Sequence, residues 1–424
     1  MEEDRGLTFD HPVYVDFLSA SDYTKASTEE EGAVAPQDKA ELDRFAGELR
    51  ALGLASGELD LFAALNAVSD GGTLAFYDPV QQRVMVRGTT MTVGLQVTLV
   101  HELTHALQDQ HFDLDRLYDS DLDDGASTAF RALIEGDALR VENDYTLGEL
   151  SASEQDAYDK EYAGQLEQSK VSTRDVPPYV NASFGVPYLL GQPFVAMLAN
   201  DGGNRAVDRA FHKPPDTEEH LFDPASFLSN ERPEPIDLSL AKGVKVLDDG
   251  RFGSPSWYLL LAERIDPIQA FDAALGWGGD GYAVFERGGR ACIRAGFVGD
   301  SRADEAEMTE ALDAWSAAMP GGRAKAIDVD GHPGLEACDP GTAADMRLSG
   351  RAEEALNVPS LWGYLVADAA TALDADGARC YAHDVLDTLT YEQITDPEGA
   401  VFEGDAFQQT LTESFEHCNE ARSG

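Results

Sequence analysis

The sequence is short of positive charge, of cysteine and of long apolar runs, and each shortage removes a class of function. Across 424 residues there are 31 Lys and Arg against 78 Asp and Glu, a formal charge of −47. Nucleic acids and anionic membrane faces are held by clustered Lys and Arg, so this balance excludes nucleic acid as a partner. Lys is the scarcer cation, and with abundant Ala and Asp that usage suits a GC-rich genome or a salt-adapted proteome. The acidity then requires no cationic ligand. The longest apolar runs, such as Trp257 to Ala262, fall far short of the ~20 residues that cross a bilayer. No basic, apolar leader opens the chain, which begins Met1-Glu2-Glu3-Asp4.

The four cysteines are Cys292, Cys338, Cys380 and Cys418, all in the C-terminal third. They form no CxxC pair and no Cys–His cluster, which argues against a zinc ribbon or a thioredoxin-type site. An even number confined to one region fits two disulfides in an oxidising compartment. Cys292 with Cys338 and Cys380 with Cys418 is the favoured pairing, because each pair falls within its own apparent subdomain. The expected location is extracellular or in the cell envelope, with any leader or anchor outside this sequence; the alternative is a cytoplasmic chain with free thiols.

What is present reads as α+β with helices dominant. β-Forming residues 12–18 predict a strand, and residues 20–40 a polar surface excursion. Helical periodicity runs over 38–54 and 59–68. Two antiparallel strands, 74–77 and 83–87, flank the turn Asp78-Pro79. Helices are predicted at 97–110 and 127–147, the second capped by Ser127 and stopped at Gly148. A composition change near Asp248-Asp249-Gly250 divides the chain into regions 1–247 and 248–424. The second region reads as helices, a hairpin about Gly288-Gly289, a strand at 324–329 and a helical end.

The informative stretch is His101-Glu102-Leu103-Thr104-His105. On a helix, His residues four apart share one face, so both imidazoles reach a single zinc ion. Glu102 lies near that face, where a carboxylate acts as general base. A catalytic zinc needs three protein ligands and one open position, and two residues compete for the third. His111 stands at the spacing of HExxHxxGxxH. That motif needs Gly for its sharp turn, however, and Gln108 occupies the position. Glu135, on the next predicted helix, is the favoured ligand: an antiparallel return would deliver its carboxylate, and Gly136 and Ala138 would let the two helices approach closely.

His101, Glu102, His105 and Glu135 resemble the gluzincin class of zinc metallopeptidases. More narrowly, Phe76-Tyr77-Asp78-Pro79, Leu99 through Leu114 and Ala132 through Ala138 are similar to a group of bacterial neutral zinc-metallopeptidase-like proteins. Weaker likenesses lie at Pro214 to Glu218 and Gly276 to Asp280. The resemblance implies a helix-dominated zincin-like domain with a small mixed sheet over 1–247, followed by a smaller α+β region. It implies one Zn²⁺ per chain on His101, His105 and Glu135, peptide or protein substrates, and Glu102 moving the proton from water to the leaving amine. It also implies an oxyanion donor, for which Tyr145 is a candidate, and an edge strand for substrate, for which 84–87 is a candidate. Leu139 stands where thermolysin-like members carry an Asp that orients a ligand His, leaving Asp137 or Asp109 for that role. The competing functions are a catalytically inactive metallopeptidase-like binding protein and a zinc hydrolase of a non-peptide amide.

Three further patterns carry less. Asp119, Asp121 and Asp123 are spaced like a calcium loop, but Asp124 and Phe130 replace its essential Gly and Glu, which leaves a solvated acidic loop. Gly276 to Gly281 lacks the Lys of a phosphate-binding loop and reads as a turn. Asn181-Ala182-Ser183 matches a glycosylation acceptor, a pattern common by chance.

Overall fold

The computed structural model describes residues 1–29, 34–71, 73–118, 123–236, 238, 240, 243–322 and 324–421. Helices dominate two small sheets, in the α+β class the sequence predicts. In chain order the N-terminal half holds α1 (Glu2–Arg5), β1 (Tyr14–Leu18), α2 (Ala20–Ser27), α3 (Pro36–Leu52), α4 (Leu61–Asp70), β2 (Ala75–Asp78), β3 (Arg83–Arg87), α5 (Val93–Phe112), α6 (Asp124–Gly148), α7 (Ala152–Ser172), α8 (Pro178–Gly202), α9 (Asn204–His212), α10 (Glu219–Phe222) and α11 (Pro224–Ser229). Then come β4 (Val246–Gly250), α12 (Ser254–Ala262), α13 (Pro267–Leu275), β5 (Trp277–Glu286), β6 (Ala291–Gly299), α14 (Arg302–Ala318), β7 (Ala324–Val329), β8 (His332–Cys338), α15 (Ala352–Ala355), α16 (Asn357–Ala369), α17 (Ala375–Leu386), α18 (Tyr391–Ile394) and α19 (Asp405–Ala421).

The first sheet has the order β1-β3-β2, with β1 parallel and β2 antiparallel to β3. Strand β3, expected at an edge, is therefore central: it pairs on both sides, and β2 is the edge beside α5. Ala75, Val84 and Val86 of this sheet pack with Leu95 of α5, backed by Leu99 and Leu103. The second sheet, β4-β5-β6-β8-β7, is antiparallel throughout. Its Cys292 and Cys338 are cross-strand partners joined by a disulfide, and a second disulfide joins Cys380 of α17 to Cys418 of α19.

Several local expectations are corrected. Residues 20–27 form α2, capped by the Ser19 side chain accepting from Asp22 N and anchored by the buried ring of Tyr23. Helix α6 starts earlier than expected because Asp123, not Ser127, accepts from Ala126 N; Asp119 and Asp121 lie outside the described residues. The glycines expected to turn after 276 instead lie in β5. Gly279 has φ of 154°, and a Cβ there would sit 2.0 Å from the Glu234 carbonyl oxygen, so only glycine lets that segment cross the strand. The Asn181-Ala182-Ser183 pattern falls inside α8.

One apolar core runs from Leu49 of α3 through Phe130, Phe194, Trp257, Trp315 and Trp362 to Cys418. The division expected at 247/248 falls inside β4, and this core extends to both sides of it. Helix α8 crosses the centre, against α6 on one side and α16 on the other. Among the described residues it is the helix long and apolar enough to cross a membrane, and 56% of its most apolar window is buried inside the protein. Gly136 of α6 meets Gly191 of α8, so its smallness serves this contact rather than the contact with α5. A Cβ on Gly136 would lie 2.2 Å from the Gly191 carbonyl oxygen, and one on Gly191 2.2 Å from that of Ala132. Neither backbone can yield, so Gly136→Ala should destabilise the fold by the ~1–3 kcal/mol typical of overpacking. Chemical unfolding that gives wild-type stability for this variant would contradict the packing.

Candidate metal centre

Thr92 caps α5 by accepting from Leu95 N, and the helix runs unbroken through Phe112. His101, Glu102 and His105 therefore fall within one turn, each 8% exposed, and the two imidazole rings stand 4.6 Å apart at 88°. Helix α6 returns antiparallel to α5. It places the Glu135 Oε2 3.3 Å from His101 Nε2 and 3.4 Å from His105 Nε2. The ligand atoms of these three side chains all lie within 4.8 Å of one another, a group that could hold a metal ion. The expected trio is thus brought together.

The remaining ring nitrogens are held from behind. His101 Nδ1 is 3.0 Å from Glu142 Oε2, and the other oxygen of Glu142 accepts from the Tyr158 hydroxyl of α7. His105 Nδ1 is 3.0 Å from Gln108 Oε1. The Gln108 amide donates to the Ile134 carbonyl and to Asp137 Oδ2, so its oxygen must be the atom facing His105. Both Nδ1 atoms then face acceptors, and both Nε2 atoms are turned toward the Glu135 carboxylate. The sequence reading does not single out Glu142, and it notes Gln108 only as the residue in place of a turn glycine. Helical spacing holds the signal for both: Glu142 lies two turns after Glu135, and Gln108 three residues after His105. Asp137 touches neither imidazole and acts only through Gln108, while Asp109 accepts from the Tyr77 hydroxyl and from Leu114 N.

Burial works to raise the Glu135 carboxyl, but the two imidazoles outweigh it and hold Glu135 well below the usual range. Burial also works to lower His101, and there the carboxylates of Glu135 and Glu142 prevail and push it up. Glu102 has no imidazole in direct contact. Burial raises its carboxyl, with the nearby imidazoles opposing, and its Oε2 accepts from Tyr77 N of edge strand β2 at 2.7 Å. It is fixed beside the cluster without belonging to it.

His111 lies away from the centre. The helix does not turn at Gln108, and His111 Nε2 instead donates to the Thr8 carbonyl at 2.9 Å. Tyr145 is likewise remote, its hydroxyl paired with Gln96. The tyrosine that does face the cluster is Tyr188 of α8. The charge of Glu135, followed by burial, raises its phenol far above the usual range. No local pattern marks Tyr188; only the parallel packing of α8 on α6 brings it here. A pocket of about 260 Å³ opens beside His105 and Glu135, floored by Leu114, Leu117 and Ile134 with Arg131 and Ser127 at its side. A larger cavity, about 810 Å³, lies elsewhere, between α3, α4 and β5, and none of the four motif residues lines it.

Two other groupings come within ligand distance among the described residues. In one, Cys380 and Cys418 are spent on a disulfide. In the other, Glu219, Glu231 and Asp300, burial and the neighbouring carboxylates raise Glu219 to about 9, while Arg379 engages Glu231. Neither matches the converging, back-supported donors of the first. Comparison with family models, with curated proteins and with solved structures finds no match to this chain.

The geometry makes a ranking testable. Glu135→Ala should lower the affinity for a divalent transition-metal ion by more than the ~10–100-fold expected for losing a supporting partner. His111→Ala should leave that affinity unchanged. Equal losses in a competitive chelator titration would contradict the assignment of Glu135.

Proposed function

We propose that the chain is a zinc-dependent peptidase that hydrolyses peptide bonds with Glu102 as general base, and that it resembles gluzincins in its ligand set. The observation that carries this reading is the convergence of His101 Nε2, His105 Nε2 and Glu135 Oε2, with Glu102 held beside them. Zinc bound by two nitrogens and an oxygen at ~2.0–2.1 Å in tetrahedral geometry has ligand–ligand edges of about 3.3 Å. The separations from Glu135 to the two imidazoles are 3.3 and 3.4 Å. Neutral imidazoles and a carboxylate are also the donor types that suit this ion.

When bound, zinc supplies Lewis acidity toward a water and the scissile carbonyl. Glu102 then takes the proton from the attacking water and returns it to the leaving amine. Its raised affinity for protons, from burial, suits both halves of that transfer. Tyr188, a neutral phenol facing the cluster, is the donor for the developing oxyanion, in place of Tyr145. Among the described residues no strand pairs with β2 on the side where the Tyr77 amide reaches Glu102, so an extended peptide can add along that edge through its main chain. The pocket floored by Leu114, Leu117 and Ile134 gives such a peptide room for a side chain. Two disulfides in the C-terminal part support an exported, extracellular or envelope enzyme.

Glu102→Gln keeps size and hydrogen-bonding reach but removes the base. Zinc content should stay at one per chain, while cleavage of a casein or peptide-library substrate falls by ~10²–10⁴-fold. Equal cleavage by wild type and Glu102→Gln would exclude the mechanism. A wild type that binds zinc and peptides without cleaving them would make the protein a metallopeptidase-like binding protein. Tyr188→Phe, which removes only the hydroxyl, should lower kcat by ~10²–10³-fold with KM little changed. A change confined to KM would remove Tyr188 from the transition state.

A further inference from the structure

Arg5 is the residue of the N-terminal segment that the fold treats least like a surface group. Its side chain is fully buried, although it sits in a four-residue helix at the start of the chain. Gly6 ends that helix in the left-handed region, at φ 69°, and turns the backbone away. The Asp4 carbonyl accepts from Asn204 Nδ2, while residues 8–11 run along the end of α5, where Gln110 and His111 bond their backbone. This anchoring drives the Arg5 guanidinium between three helices. Its Nε donates to Asp137 Oδ2 at 2.7 Å, and its terminal nitrogen pairs with Asp208 at 2.7 Å. Its Cζ lies 5.7 Å from the Phe112 ring and 5.9 Å from the Phe211 ring.

Asp137 is itself wholly buried, and the oxygen that takes Arg5 also takes the Gln108 amide at 3.0 Å. Gln108 in turn presents its oxygen to His105 Nδ1. Arg140 holds the other oxygen of Asp137 at 3.0 Å, so Arg5 is the cation on the oxygen that Gln108 uses; without Arg5 that oxygen loses the partner that fixes it, and the Gln108 amide loses a fixed acceptor. We propose that Arg5 is a positioning residue of the metal centre. Through Asp137 and Gln108 it fixes the ring of His105, so the first residues of the chain complete a site more than ninety residues away in sequence. The inference rests on reading His101, His105 and Glu135 as metal ligands, and it adds that the centre assembles only when the N-terminal segment is docked.

The test is a double-mutant cycle read by metal affinity, not activity. Full-length wild type, Arg5→Met, Gln108→Met and the double variant are stripped with chelator and titrated with zinc against a competing dye. Each single variant should bind zinc ~10–100-fold more weakly. The double variant should bind no more weakly than Gln108→Met alone, because the same link is already cut. A purely structural Arg5 would lower thermal stability but leave zinc affinity at the wild-type value, or give losses that multiply in the double variant; either result overturns the proposal. Should Arg5→Met not fold, Asp137→Asn cuts the next link at constant volume and must show the same loss and the same non-additivity, and failing that, the proposal falls. A wild type that takes up no zinc overturns the metal-centre reading instead, so the two failures are distinguishable.

Discussion

Two imidazoles one helical turn apart face a single point only if neither ring is free to rotate, and the whole arrangement around α5 answers that requirement. Each ring has one nitrogen for the centre and one that must be tied back. Glu142 ties His101 with a carboxylate, and Gln108 ties His105 with an amide. The two supports differ in charge because their surroundings differ. Glu142 keeps some contact with solvent and also accepts from Tyr158, whereas Gln108 is fully buried and could not carry an uncompensated charge there. The charge behind His105 is moved one residue further, to Asp137, where Arg5 and Arg140 neutralise it.

The same logic separates Glu135 from Glu102, two carboxyls that share a buried site. Glu135 is drawn into the imidazole pair, which favours its ionised form. Glu102 is turned toward a single backbone amide on β2 and is left more basic. Environment, not residue type, divides the roles, and the division follows from which helix each residue rides. Glu102 is locked to α5 next to His101, so its carboxyl can reach only the sheet side. Glu135 comes from α6 and closes the opposite side.

The periodic part of this architecture was legible in the sequence. Helices α3 to α6, the hairpin of β5 and β6 and both disulfide pairs follow from spacing and composition, since helical and strand periods are local properties. So does the meeting of His101, His105 and Glu135, because i and i+4 on one helix and a return helix restrict the geometry closely. What escaped was set by contacts between segments far apart in the chain. Strand β1 enters parallel to β3 from more than sixty residues upstream and takes the edge from it, which no local pattern announces. The role of Gly136 was misread for the same reason: a small residue signals close approach but not which helix approaches. The sequence offers Tyr145, and Tyr188 emerges only when α8 is seen to lie parallel to α6.

Helix α8 shows why composition alone misleads here. It is apolar enough to resemble a membrane span and carries Pro187 and Pro193 inside it, features that would be costly in an exposed helix. Both prolines lie in its buried half, where α6 and α16 enclose the helix and supply the packing that isolated propensity would deny it. Its contact with α6 is close enough to need glycine on both sides, which fixes the axial position of one helix against the other. That register decides which residue of α8 stands opposite Glu135. A helix whose packing is this tight cannot slide, so Tyr188 is held against the carboxylate by the same backbone contact that makes α8 the centre of the core. The site's third side is therefore a property of the core, while its other two sides are properties of α5 and α6.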